Sequence, residues 1–151
     1  LNASDQGRRR ACVARIVADV EADLEDYRRL IATLDALHRA LTDESLDALA
    51  RTHDTALQLV GRLRARARRR VQCLEQAFGE TSANTMTPVM RWLAADAREA
   101  YQTFATRWDA LQALAARCKA VNARNLRDIG AKLQMLDVVL SPASATYAPQ
   151  R

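Results

Sequence analysis

The chain has little of what interrupts a helix, with four glycines and three prolines in 151 residues. Gly7, Gly61, Gly79 and Gly130 are scattered, so no glycine-rich phosphate loop is present, and neither a GxSxG elbow nor an HExxH pair occurs. Three cysteines, Cys12, Cys73 and Cys118, leave an odd thiol and form no CxxC pair, which excludes a disulfide framework and a cysteine zinc site. Each sits on or beside an apolar stripe and reads as a buried thiol acting as a small hydrophobe. There are two histidines, His38 and His53. Asp35-x-x-His38 places a carboxylate and an imidazole on one helix face, but a di-iron bundle needs two such motifs plus inward glutamates. Both histidines therefore read as core or boundary residues. The expectation is a protein that is not an enzyme and takes no metal or cofactor. No apolar run approaches the roughly 20 residues of a membrane span, and Leu1 to Arg10 lacks the apolar core of a signal peptide. A cytoplasmic protein without direct membrane insertion is expected.

What is present favours helix. The chain is 49% apolar and 27% charged, and alanine, leucine and arginine, all good helix formers, dominate it. Three heptad seams follow one another. The first, over about residues 8–41, uses Val13, Val17, Val20, Leu24, Tyr27, Ile31, Leu34 and Leu41, widened by Leu30 and Leu37. Thr42-Asp43-Glu44 reads as a tight connection that caps the next helix and puts acid in its first turn. The second seam, about 44–78, runs through Leu46, Leu49, Ala56, Val60, Leu63, Ala67 and Leu74, with Gly79 as its C-cap. Thr87-Pro88 starts the third helix and Ser141-Pro142 stops it, so it spans about 88–140. Its seam comprises Tyr101, Phe104, Trp108, Leu111, Ala115, Cys118, Ile129, Leu136 and Val139, interrupted by Asn122 and Asn125. Trp92 and Trp108 read as aromatics packing this helix onto the first two.

The predicted fold is all-α, an antiparallel helical hairpin plus a long third helix in up-down-up order. Residues 1–140 form the single domain, and 141–151 a flexible tail. The first two helices have roughly 35 residues each, about 50 Å, and the third roughly 50, so its last turns should overhang the hairpin. The core is expected to run out near Asn122. Past it Leu126, Ile129, Leu133, Leu136 and Leu140 make an apolar face that nothing else in the chain is left to cover, the usual mark of a partner site. Asn122 and Asn125 read as polar register markers. Two other uses of the face stay open, self-association into a homodimer and packing on the chain's own hairpin. The latter would follow if the third helix folded back at Asn122 or Gly130.

Asn122-Ala123-Arg124-Asn125-Leu126, followed by an amphipathic continuation and by Ala145-Thr146-Tyr147-Ala148-Pro149, resembles the FlgN-type flagellar export chaperones. In that family the tail tyrosine is typically followed by glycine, where this chain has Ala148. The resemblance implies a cytoplasmic, non-enzymatic chaperone for the hook-filament junction proteins commonly called FlgK and FlgL. It would hold their C-terminal amphipathic helices, prevent premature association and deliver them to the type III export gate. It also implies that Tyr147 docks to the cytoplasmic domain of the gate. An amphipathic client helix would be read through anchors at i, i+3, i+4 and i+7.

The arginines demand a separate reading. Arg62-Leu63-Arg64-Ala65-Arg66-Ala67-Arg68-Arg69-Arg70 lies in a chain of net charge +5, and clustered arginines bind phosphates. The run is embedded in a helical seam without interleaved aromatics or a nucleic-acid-binding layout. A solvated helix face is the expectation, with an acidic protein surface next and nucleic acid last.

Overall fold

The computed structural model describes residues 2–79 and 85–146, with side chains as far as Asp137. Four helices follow in order, α1 (Ala3–Thr42), α2 (Leu46–Phe78), α3 (Thr87–Asp96) and α4 (Arg98–Thr146). The described residues contain no strand, so the fold is all-α, as expected.

Local chemistry sets most of the helix ends. Asn2 caps α1, its side-chain oxygen accepting from the Asp5 N–H at 2.8 Å. The turn into α2 passes through Glu44 at φ 54, and the cap is Ser45, whose hydroxyl oxygen accepts from the Ala48 N–H. The expected Thr42 cap is not used, because the Thr42 hydroxyl donates back to the His38 carbonyl at 3.1 Å. Gly79 ends α2 at φ 97, a conformation that costs a side-chain-bearing residue energy.

The third helix departs from expectation. It begins at Thr87 with Met86 as N-cap and then breaks at Ala97, whose backbone is extended at φ −156 and ψ 122. No proline or glycine stands there. The break lets α3 lie across the open end of the hairpin, where Val89 and Leu93 are buried with Phe104. Burying such side chains is worth about 1.5–3 kcal/mol each, more than the roughly 1 kcal/mol of a backbone hydrogen bond lost at an interruption. Phe78 meets Trp92 edge-on with centroids 6.5 Å apart, and Trp108 stacks on Phe104 at 6.4 Å. Helix α4 then runs unbroken through Asn122 and Gly130, and past the expected stop at Ser141-Pro142, to Thr146.

Helix α1 is central. It packs against α2 on one side and α4 on the other, whereas α2 and α4 approach each other only weakly. The pairs Asp19–Arg69 and Asp26–Arg62 make α2 antiparallel to α1. Arg107–Glu21, Arg124–Asp35 and Lys132–Glu44 make α4 parallel to it. The order is thus up, down, up.

Two apolar clusters flank the middle of the hairpin. One, at its open end, gathers Ile16, Val20, Leu74, Val89, Phe104 and Leu111; the other, toward the turn, gathers Leu30, Ile31, Leu34, Ala56, Leu59, Leu63 and Cys118. Beside them runs an ion-pair ladder. The buried carboxylates of Asp19, Asp23 and Asp26 receive Arg69, then Arg66 and Arg70, then Arg62 and Arg66. Arg62, Arg64, Arg68 and Arg69 are exposed, in line with the expected solvated face, and four of the six arginines in the run are also bound to α1 carboxylates. Three aspartates at i, i+4 and i+7 on α1 meet arginines at matching helical spacing on α2.

Candidate docking groove

With α1 as a floor and α2 and α4 held apart as walls, the turn-proximal half of the molecule contains an open groove of about 610 Å³. The α2 wall presents His53, Leu57, Val60 and Arg64, at successive spacings of four, three and four residues on one helix face. The α4 wall presents Ala115, Lys119, Asn122, Leu126 and Ile129, again at alternating fours and threes. Tyr27, Leu30, Leu34 and Leu37 of α1 make the floor. Two helical stripes that mix apolar with polar residues thus face each other across an apolar floor, an arrangement suited to a further amphipathic helix.

Why α4 turns this stripe toward the groove follows from its contacts with α1. Past Cys118, the last buried apolar residue of α4 among the described side chains, the two helices are joined by polar contacts along one edge. Arg124 donates to Asp35 at 3.1 Å and Asn125 to the Leu34 carbonyl at 2.8 Å. His38 Nδ1 lies 2.9 Å from Asp128 Oδ2, and Lys132 reaches the carbonyl of Leu41 and the carboxylate of Glu44. These contacts hold α4 along α1 as far as Lys132 and leave its apolar positions pointing elsewhere. The apolar core stops near Asn122, and a polar seam carries the helix on for about three more turns.

The sequence-predicted residues divide accordingly. Asn122, Leu126 and Ile129 come together in the groove. Leu133 and Leu136 continue the same stripe beyond the end of α1, exposed by 58% and 56%, with Met135 beside them at 69%. Asn125 differs from the rest. It is 1% exposed and fastened to α1, so it sets the register of α4 and offers little surface to a partner. The Leu140 side chain and Tyr147 lie outside the described residues. His38 sits on the α1–α4 boundary and His53 on the groove wall, and no group of three or more potential metal-ligating side chains is found among the described residues.

The α2 wall is what sequence reasoning missed. Periodicity places Ala56, Val60 and Leu63 in a seam between helices and leaves Leu57 outside it. Leu57 is 57% exposed. Its signal was available as an apolar residue next to a seam position, in step with His53, Val60 and Arg64.

No helix among the described residues is long and apolar enough to cross a membrane. The sequence model of one protein family, described as FlgN protein, matches residues 13–144. No curated protein and no solved structure matches the chain.

Proposed function

The chain belongs to the FlgN family of flagellar export chaperones, and from that premise we propose that it shields the C-terminal amphipathic helices of hook-filament junction proteins, FlgK- and FlgL-like, in the cytoplasm. A client helix seated between α2 and α4 would have its own apolar stripe covered, and so would not pair prematurely with other subunits. The observation that carries this reading is the continuity of Leu126, Ile129, Leu133 and Leu136. The stripe starts inside the open groove and runs on past the end of α1, where Leu133 and Leu136 are exposed. Exposed apolar surface of this extent and regularity supports a helix-in-groove partner. It also suits a client that must be given up again, because an open slot can release what a closed core cannot. On the family resemblance, Tyr147 is the contact to the cytoplasmic domain of the export gate. The role calls for no catalytic step.

Two other readings meet obstacles. Phosphate binding by the arginine run competes with the ladder, since Arg62, Arg66, Arg69 and Arg70 are already held by carboxylates. Self-association would use the same stripe and is separable by mass. The test is titration of the protein against peptides spanning the C-terminal helices of junction proteins, with a Leu133→Asp, Leu136→Asp variant alongside. Binding at micromolar concentration or tighter, lost in the variant, is the expected result. Failure of every such peptide to bind, or binding indifferent to the variant, would overturn the reading; a concentration-dependent dimer abolished by the same changes would replace it.

A further inference from the structure

The charges around the groove narrow what kind of helix it takes. One carboxylate lines it, that of Asp23, which is buried and bound by Arg66 and Arg70. Arg70 is committed to Asp23 at 2.6 Å and lies over the Trp108 ring. Arg64 on the α2 wall and Lys119 on the α4 wall are different. Both are exposed, and neither makes an ion pair among the described residues. They stand on opposite walls and toward the same end, the one away from the α4 overhang. On α4, Lys119 precedes Asn122, Leu126 and Ile129; on antiparallel α2, Arg64 follows His53, Leu57 and Val60.

Resting on the docking reading above, we propose that the groove selects an amphipathic helix carrying carboxylates on both flanks of its apolar stripe near one end, paired with Arg64 and Lys119. The arrangement is that of a coiled-coil seam, where charges at the flanking positions choose the partner while apolar residues supply the affinity. From Ala115 to Leu136 the α4 stripe is roughly 30 Å long, which corresponds to a partner helix of about 21 residues. The same charges argue against a second copy of this chain as occupant. A parallel two-fold dimer through this face would set Arg64 and Lys119 of one copy beside those of the other, in a chain whose net charge is already +5.

The test uses synthetic helical peptides of about 21 residues with identical apolar stripes and a flanking pair of Glu, Gln or Lys in either the first or the last two turns. Dissociation constants are measured at low and high salt. A Glu pair at one end should bind about fivefold more tightly than Gln at low salt, with Lys weakest, since two exposed ion pairs contribute roughly that much. The gain should shrink as salt screens it. In an Arg64→Glu, Lys119→Glu variant, both changes at exposed positions, the order of the peptides should invert. Equal binding of Glu and Gln peptides, or an order unchanged in the variant, would overturn the inference while leaving the docking reading intact, provided the Gln peptide binds and is lost in Leu126→Asp. If no peptide binds at all, both fail. A dimer of the protein alone, abolished by Leu126→Asp, also overturns the inference.

Discussion

The side-chain amide of Asn125 on α4 donates to the backbone carbonyl of Leu34 on α1 at 2.8 Å, with Asn125 1% exposed. That carbonyl lies within α1, so its oxygen accepts the Asn125 N–H through its second lone pair, which fixes which turn of α4 sits on which turn of α1. An apolar residue here could slide by a turn, whereas an amide that must find one oxygen cannot. Asn125→Ala should lower stability by about 1–2 kcal/mol, from a buried hydrogen bond and a small void. Asn125→Asp should cost more near neutral pH, because it sets a carboxylate against a carbonyl oxygen, and should recover part of the loss once acidified. Denaturant midpoints at two pH values check both. Equal losses for the two variants would show that volume alone matters at this position.

Asp26, in the Asp-Arg ladder, makes the hairpin sensitive to acid. Burial of Asp26 acts to raise its pKa, but hydrogen bonds from Arg66 and Arg62 outweigh it and hold the carboxyl below its ordinary value of 3.8. A group whose folded pKa is depressed contributes stability above its unfolded value, and that contribution is lost as pH falls through the folded value. The Asp26 contribution should therefore be intact near neutrality and weaken below about pH 4. Asp26→Asn should destabilise by about 1–3 kcal/mol at neutral pH, leaving Arg62 without its partner, and should flatten the acid limb of the stability profile. Thermal unfolding from neutral to acid pH, wild type against variant, reads this directly. A parallel acid limb in the variant would remove Asp26 as a cause.

How much of this was legible in the sequence depends on whether the signal was local. The all-α class, the hairpin and the end of the apolar core near Asn122 follow from periodicity and capping, which act within a few turns. The break at Ala97 carries no local signal. It is imposed by the burial of Val89 and Leu93 across the hairpin end, a tertiary effect that overrides the helical preference of the segment. The arginine run was legible only in part, for a related reason: four of its six members are exposed, as a solvated face requires, but the ion pairs carry no local signal. Viewed alone it is a charged face, and only the pairing of α1 with α2 brings Asp19, Asp23 and Asp26 against it. Within the site, the α4 stripe was visible as unclaimed apolar residues. The α2 wall was not, because Leu57 becomes meaningful only once α1 separates α2 from α4. Asn125 was visible as a polar interruption of the seam, but its partner is a backbone oxygen, and sequence patterns do not display those.

The two buried thiols, Cys12 and Cys118, should be inert in the folded protein. Burial, reinforced by the neighbouring Cys73, pushes Cys12 up to about 12, and burial alone raises Cys118. Only the thiolate attacks disulfide reagents, so at mildly alkaline pH both should react about tenfold or more slowly than in the unfolded chain. Mass mapping of partial modification in buffer and in denaturant checks this residue by residue. Rapid labelling of Cys12 or Cys118 in buffer would mean that the clusters around them open readily.

The stripe on α4 should separate stability from binding. Leu126 and Leu133 are exposed by 60% and 58%, so truncating either to alanine removes little buried area, and alanine is the better helix former. Leu126→Ala and Leu133→Ala should each leave the unfolding midpoint within about 0.5 kcal/mol of wild type. If they anchor a client helix, each should weaken binding by about 1–3 kcal/mol, roughly five- to a hundredfold in affinity. Leu59, buried at 2% exposure between α2 and α1, is the contrast. Leu59→Ala should cost about 2–5 kcal/mol of stability, and once that is offset by working well below the melting temperature it should barely change affinity. Were Leu126 and Leu133 part of the chain's own core in solution, their alanine variants would behave like Leu59→Ala. The two positions also report on different parts of the site, one inside the groove and one beyond the end of α1. A client that lost affinity through Leu126 but not Leu133 would lie wholly within the groove, and the overhang would then be free for another contact.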